Sequence, residues 1–282
     1  MTIGVDLGGT NIRAGVVQAG EVHTLRRHIL KRKDSLTDTL AQLIDLIRPL
    51  CQYPVEGIGI GVPSVVDVQN GVVYQVANIP SWEEVPLKDI LEKELNLPIW
   101  INNDVNCFIL GEHQHGLAQN TTSALGLCIG TGLGCGLILN GTLYTGTNCG
   151  AGEIGMLSYL DQTLEYYCSG DFFTGRHATT ALETFELATL GDRQALALWA
   201  AFGRHLAEAI KVILYAYDPE IIVMGGSISK AFSFFEPSMR AQLSDFSYRE
   251  TLRRIRILPT ENENSGVIGA AALGTLSVPR FS

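Results

Sequence analysis

Apolar and polar positions along this chain change period several times. Residues 2–6 and 12–18 are short apolar runs, and the turn Gln18-Ala19-Gly20-Glu21 leads to a third run from Val22 to Ile29. The chain is therefore predicted to open with three strands. From Ser35 to Leu50 the period lengthens: Leu36, Leu40, Leu43, Ile44 and Ile47 recur at helical spacing, with Ser35 or Asp34 as the N-cap. "GIGIGVPS" (57–64) reads as a buried strand ending in a turn, Pro86–Leu95 as a short amphipathic helix, and Ile99–Ile101 as a strand. Asn102-Asn103-Asp104 follows, and a helix is predicted from there to Gly116.

After residue 120 the pattern restarts. "ALGLCIGTGLGCGLILNGTLY" (124–144) again reads as strand, glycine-rich loop, strand, tight turn and strand, with Gly15 falling on Gly136 and Gly20 on Gly141. A helix-rich stretch, 179–217, precedes the buried strand "IIVMGGS" (221–227). A basic strand (253–258) and the helix-like "SGVIGAAALGTL" (265–276) end the pattern. Two α/β halves, each opening with a hairpin that carries a glycine loop, are the expected architecture.

Composition narrows the function. The 282 residues suffice for two domains, and 46% hydrophobic against 17% charged residues supply an ample core. Twenty Lys and Arg against twenty-nine Asp and Glu leave a net charge of −9. That argues against a nucleic-acid partner, which needs clustered cations, but not against a small anion held by backbone amides. No apolar run approaches the roughly 20 residues that span a bilayer, and the opening MTIGVDLGG lacks the basic and apolar regions of a signal peptide. The cysteines Cys51, Cys107, Cys128, Cys135, Cys149 and Cys168 form no C-x-x-C pair and sit mostly in apolar stretches. Buried reduced thiols in a cytoplasmic protein, with no membrane partner, are the expectation.

The glycine loops carry the first chemistry. "DLGGT" and "GTGLGCG" present backbone N–H groups where no Cβ blocks an oxyanion, and Thr10 and Thr131 add hydroxyls. Neither is a P-loop, for there is no G-x-x-x-x-G-K-[ST]. Gly132-Leu133-Gly134 is followed by an apolar strand, not by the helix of a dinucleotide fingerprint. Either loop alone is equally well a tight hairpin; a matched pair fits a polyphosphate. Gly225-Gly226-Ser227 would approach the other end of a nucleotide. Asp6 then either holds a metal through water or is a simple turn acid. Asp104 is either an N-cap or a general base, with Asn103 orienting a substrate hydroxyl. In isolation Glu153, in "CGAGEIG", and Glu165, in "LEYYCSG", read as surface acids.

Taken in order, the motifs resemble the ROK family of sugar kinases, within the actin-like ATPase superfamily. "DLGGTNIRAGVV" looks like its first phosphate motif, "GIGIGVPSVVD" its G-x-G-x-P strand, and "ANIPSW" its N-x-x-x-W sugar loop, with Asn78 and Trp82 in register. "INNDVNCFILGEH", "GTGLGCGLILNGTLYTG", "GAGEIG", "DPEIIVMGGSIS" and "GVIGAAALG" are similar to further segments of the family. The resemblance implies an α/β, two-lobed actin-like ATPase (ribonuclease H-like) fold, each lobe a mixed sheet flanked by helices, with the active site in the cleft. A small lobe, residues 1–105 completed by a C-terminal helix 265–282, and a large lobe, 106–264, are expected. So are ATP and Mg²⁺ as cofactors, and phosphorylation of a hexose hydroxyl, usually at C6. By motif position Asp104 would be the general base, and Asn78, Asn103, Glu153 and Glu165 would hydrogen-bond the sugar. Gly8, Gly9, Thr10 and Asn11, with Gly130, Thr131 and Gly132 (and on to Gly134), would bind phosphates; Gly225 and Gly226 would lie near the adenosine. Asp6 would organise Mg²⁺. A homodimer through the large lobe is implied on the same ground.

One departure matters. The family carries G-E-x-G-H followed by a three-cysteine segment, together a structural zinc site. Here Met156 stands at the His position, and Leu157 to Leu164, without a cysteine, separates it from Glu165. The end of the motif survives as Glu165, Ser169 and Gly170. No structural zinc is expected, and the segment must be held by packing of Leu157, Tyr159, Leu160, Leu164, Tyr166 and Tyr167. Because the family His also touches the sugar, Met156 leaves the substrate open: glucose first, with N-acetylmannosamine, allose, fructose or a β-glucoside as alternatives. Two other classes compete. A ROK repressor needs a winged helix ahead of the first strand, which here begins by Ile3. A sugar sensor without turnover would not need Asp104 and both phosphate loops.

Overall fold

The computed structural model describes residues 1–8, 11–76 and 78–276. Strands β1 (Thr2–Leu7), β2 (Asn11–Gln18) and β3 (Glu21–Ile29) form an antiparallel meander. Ile3, Val5 and Leu7 are buried on one face beside Val16, Ala14 and Ile12; Gly4 and Asp6 lie on the other, opposite Gly15 and Arg13. Helix α1 (Leu36–Ile47) is capped by Ser35, whose Oγ accepts from Asp38 N at 3.2 Å. It stops at Ile47, short of the predicted Leu50. Pro49 has no N–H and its ring crowds the carbonyl four residues back, so Arg48–Gln52 tightens into a 3₁₀ turn. The buried β4 (Ile58–Val62) pairs parallel to β1. Then β5 (Val65–Asp67), β6 (Val72–Tyr74) and β7 (Glu84–Val85) make a small antiparallel sheet of strands too short to show a period in sequence. After α2 (Leu87–Leu95), β8 (Ile99–Asn103) runs parallel to β4 and leads straight into α3 (Asp104–His115).

The second meander is β9 (Ala124–Ile129), β10 (Leu133–Leu139) and β11 (Thr142–Tyr144). A two-residue-strand hairpin, β12 (Ser158–Tyr159) and β13 (Gln162–Thr163), precedes α4 (Leu164–Cys168), α5 (Gly170–His177), α6 (Ala181–Thr189) and the long α7 (Arg193–Tyr217). β14 (Ile221–Gly225) pairs parallel to β9; α8 (Phe232–Leu243), α9 (Arg249–Arg254), β15 (Arg256–Pro259) and α10 (Ser265–Ala272) complete the order. The basic strand predicted at 253–258 is thus divided. Arg249–Arg254 is helical, with Arg253 paired to Glu250 one turn back at 2.7 Å, because unbranched charged residues favour helix over strand.

The two large sheets share one order: β3-β2-β1-β4-β8 and β11-β10-β9-β14-β15. In both opening hairpins glycine faces glycine, Gly4 opposite Gly15 and Gly126 opposite Gly136. The first hairpin closes at Leu7–Ile12 and the second at Ile129–Leu133, so the first loop is a residue longer.

The chain forms two compact units: Met1–Asn120 with Leu143–Ala151 and the segment from Asn262 on, and Thr121–Thr142 with Gly152–Glu261. The lobe boundary expected at residue 105 falls inside α3, which lies wholly in the first unit. There α10 packs at backbone contact on β4 and α3. A Cβ on Gly59 would lie 1.7 Å from Ala270 O, and one on Gly269 1.7 Å from Cys107 O. The buried Glu112 accepts from Ser265 Oγ at 2.5 Å and from Leu117 N at 2.9 Å, tying the end of α3 to the start of α10. A 3₁₀ turn, Leu273–Thr275, follows α10; residues 277–282 of the predicted C-terminal helix lie outside the described residues. Among the described residues no helix is long and apolar enough to cross a membrane.

Candidate active site

In the first unit, β1 delivers Asp6 and the first loop. Gly8 N–H donates to Asn11 O at 2.9 Å, closing the hairpin; Gly9 and Thr10 lie outside the described residues. Asp6 is not solitary. Arg13, its neighbour across the hairpin, donates through Nε to Asp6 Oδ2 at 3.1 Å, while Nη2 donates to the same oxygen and Nη1 to Glu263 O. Both guanidinium contacts fall on Oδ2, which leaves Oδ1 for a water. Mg²⁺ keeps several waters and takes one or two carboxylates beside substrate phosphates, and Asp6 fits that use through Oδ1. Sequence reading passed over Arg13, although the alternation of the hairpin puts it opposite Asp6.

Asp104 is the first residue of α3, but the N-cap is Asn103. Asn103 Oδ1 accepts from Val105 N at 2.9 Å and Asn106 N at 3.2 Å, and its Nδ2 donates to Ser64 O at 3.3 Å. Asn103 is therefore already committed to its own helix and to the loop after β4. Asp104 Oδ1 accepts from Val105 N at 2.9 Å. Asn78 is exposed on a double turn in which Ile79 N donates to Val76 O and Trp82 N to Ile79 O, both at 2.9 Å. Trp82 is core: its Nε1 donates to the buried Thr39 Oγ1 at 2.7 Å, anchoring the turn to α1.

In the second unit the remaining residues share the carboxyl ends of parallel strands β9 and β14, where ligands bind in α/β sheets. The loop Gly130–Gly132 is held on two sides: Gly170 N donates to Gly130 O at 2.7 Å, and Leu133 N to Glu165 Oε2 at 2.9 Å. Thr131 is exposed at the tip. Gly226 has φ +85°, and a Cβ there would lie 2.3 Å from Ile129 O, so only glycine lets this turn cross the end of β9. Ser229 Oγ donates to Gly226 O at 2.8 Å. Glu165 thus braces the phosphate-type loop with one oxygen. Glu153 lies close enough that partial burial and the charge of Glu165 raise its carboxyl above the ordinary range. A hollow of about 530 Å³ among Asp218, Glu220, Arg254 and Arg256 lies at the opposite, amino ends of β14 and β15, away from these loops.

Where the zinc segment was expected to be missing, an aromatic cluster stands. Tyr159 of the β12–β13 hairpin meets Tyr167 edge-on at 5.3 Å, and its OH lies 3.1 Å from His205 Nδ1. Tyr167 lies tilted against His205 at 4.7 Å, donates to Asp161, and accepts from Arg176 Nη1 at 2.9 Å. Burial pushes the Tyr159 hydroxyl up to about 12 and His205 below its ordinary value. Of the six residues expected to pack, Leu164 and Tyr167 are buried, whereas Leu157 and Leu160 are exposed, Leu160 by 69%. Met156 is 56% exposed.

The family model described as "ROK family" matches residues 2–275. The chain belongs to the ROK family. Two relatives are a glucokinase of Thermotoga maritima, 28% identical over 96% of each chain, and an N-acetyl-D-glucosamine kinase of Pectobacterium atrosepticum, 29% identical over 97% of this chain and 98% of its own. A ROK family glucokinase from Streptomyces griseus, solved with glucose and AMPPNP, superposes with a TM-score of 0.83 at 24% identity, over 96% of this chain and 98% of that one. The ROK fold of this chain is the α/β actin-like ATPase fold, with a mixed sheet flanked by helices in each unit.

Proposed function

We propose that this chain is an ATP-dependent sugar kinase that transfers the γ-phosphoryl group to a hexose hydroxyl, the C6 hydroxyl of glucose or a related hexose, with Asp104 as general base. The observation that carries the reading is the family match over residues 2–275 with both glycine loops retained at equivalent ends of like-ordered sheets. Phosphoryl transfer asks for positioning and charge neutralisation rather than covalent chemistry. Loop amides at Gly8–Asn11 and Gly130–Gly132, with the Thr10 and Thr131 hydroxyls, orient phosphates; Gly225 and Gly226 leave room for the adenosine. Asp104 takes the proton of the attacking hydroxyl, while Asn103 makes the N-cap bonds of α3. Asn78, Glu153 and Glu165 hold the ring hydroxyls, Asn103 by its remaining amide hydrogen. Mg²⁺, when bound, neutralises phosphate charge, and Asp6 Oδ1 would hold it through water. Two curated relatives act on different sugars, glucose and N-acetyl-D-glucosamine, and Met156 removes a hydrogen-bonding side chain, so both are first candidates. A cytoplasmic homodimer belongs to the same reading, and light scattering of the purified chain tests the dimer.

The test is ADP release over a panel of hexoses and N-acylhexosamines. At least one sugar is expected to turn over, and Asp104→Asn, with an unchanged melting temperature, to lose about 10²–10⁴-fold in kcat. Near-full turnover by the variant removes Asp104 from the chemistry. Sugar binding without turnover by the parent chain favours the sensor.

A further inference from the structure

Cys149 has a backbone φ of +56°, in the left-handed region where a Cβ is disfavoured and glycine is the ordinary choice. A side chain kept in such a conformation costs stability and is retained where the surroundings use it. Here the thiol is buried within a set of amide groups of the first unit. Cys149 Sγ donates to Asn102 Oδ1 at 3.4 Å and accepts from Asn106 Nδ2 at 3.6 Å. Asn106 Nδ2 also donates to Asn102 Oδ1 at 3.0 Å, and Asn103 N to that oxygen at 2.8 Å.

One amide oxygen thus collects three donors: the backbone just before Asp104, the helical turn just after it, and the segment Leu143–Ala151. Asn102 ends β8, Asn106 lies in the first turn of α3, and Asp104 is between them. The same turn already presses on β4, where a Cβ on Gly61 would come within 3.2 Å of Asp104 Cα. A thiol both donates and accepts, so it fits between an amide oxygen and an amide nitrogen; alanine and glycine do not.

We propose that Cys149 is a positioning residue for the base, fixing the first turn of α3 through Asn102 and Asn106. The inference rests on the kinase reading above. Its test compares Cys149→Ser, Cys149→Ala and Cys149→Gly in the full chain. The alanine and glycine variants should lose about 10–100-fold in kcat on the best sugar, the scale of a misplaced catalytic group, with the KM for ATP within about twofold. The serine variant, which restores a donor and acceptor, should stay within about threefold of the parent. Amide exchange at residues 103–106 should quicken about tenfold in the alanine and glycine variants and not in the serine variant. Glycine relieves the left-handed backbone, so Cys149→Gly should melt no lower than Cys149→Ala; a purely structural role would then make it the faster enzyme, whereas positioning slows both alike. A glycine variant with parental kcat and parental exchange overturns the proposal. If the parent turns over no sugar, the kinase reading fails separately, and the exchange measurement still decides whether the thiol holds the turn.

Discussion

Glu153 and Glu165, the proposed sugar ligands, show what neighbouring carboxylates cost the fold. The Glu153 side chain reaches solvent, yet protein crowds its carboxyl and Glu165 adds a like charge, so the folded chain holds the proton more tightly than the unfolded chain does. Stability therefore falls as pH rises from the unfolded carboxyl range through the raised folded one, and the loss persists at neutral pH. Glu153→Gln is expected to raise the melting temperature at pH 7, by a small amount because water screens an exposed group, while weakening sugar binding. The rise should vanish once the parent carboxyl is protonated, below about pH 4. Equal melting temperatures at pH 7 would show that the two carboxylates do not burden the fold. At this scale the glycine loops were legible because spacing alone defines them. The cap at α3 was expected at Asp104, if that residue was not a base, because Asp is a common capping residue; the bonds from Val105 and Asn106 place it one residue earlier, at Asn103. Trp82 and Cys149 have partners far away in sequence, Thr39 and Asn102, which no local pattern reveals.

The β12–β13 hairpin stands where the resemblance to the family implies a zinc segment. Its support is aromatic: Tyr159 against Tyr167 and His205, with Arg176 over the Tyr167 ring at 5.2 Å. Such edge-on pairs contribute roughly 0.5–1.5 kcal/mol each beyond burial. The purified chain is expected to carry no stoichiometric zinc after dialysis, by elemental analysis, and its melting temperature should not respond to a chelator, unlike a domain folded around zinc. About one zinc per chain, lost together with the fold, would withdraw Glu165 as a sugar ligand. The long strands and helices were legible because each repeats its period several times. The short β5–β7 sheet and the division at Arg254–Arg256 were not, since a few residues hold no period and charge alone does not choose between helix and strand.

At the scale of the whole molecule, the repeated hairpin announced two similar halves, but it could not show where each ends. The first unit is assembled from three stretches of chain and the second from two. A chain ending at Glu261 keeps every stretch of the second unit and lacks α10, whose backbone fills the glycine-lined surface of β4 and α3. Circular dichroism and proteolysis of that truncated chain should show the first unit unfolded. A truncated chain as resistant as the parent would mean that α10 is dispensable.

The same arrangement bears on how the protein is made. Residues up to Asn120 leave the ribosome with all five strands of the first sheet, yet the helix that covers it ends only at Ala272. At about 5–20 residues per second, that is a delay of roughly eight to thirty seconds. During it a sheet face lined by Gly4 and Gly59 stands bare while the second unit is synthesised in full. The yield of folded protein is therefore expected to depend on chaperones that shield apolar surface during synthesis, more than the stability of the finished protein does; expression with and without added chaperones checks it.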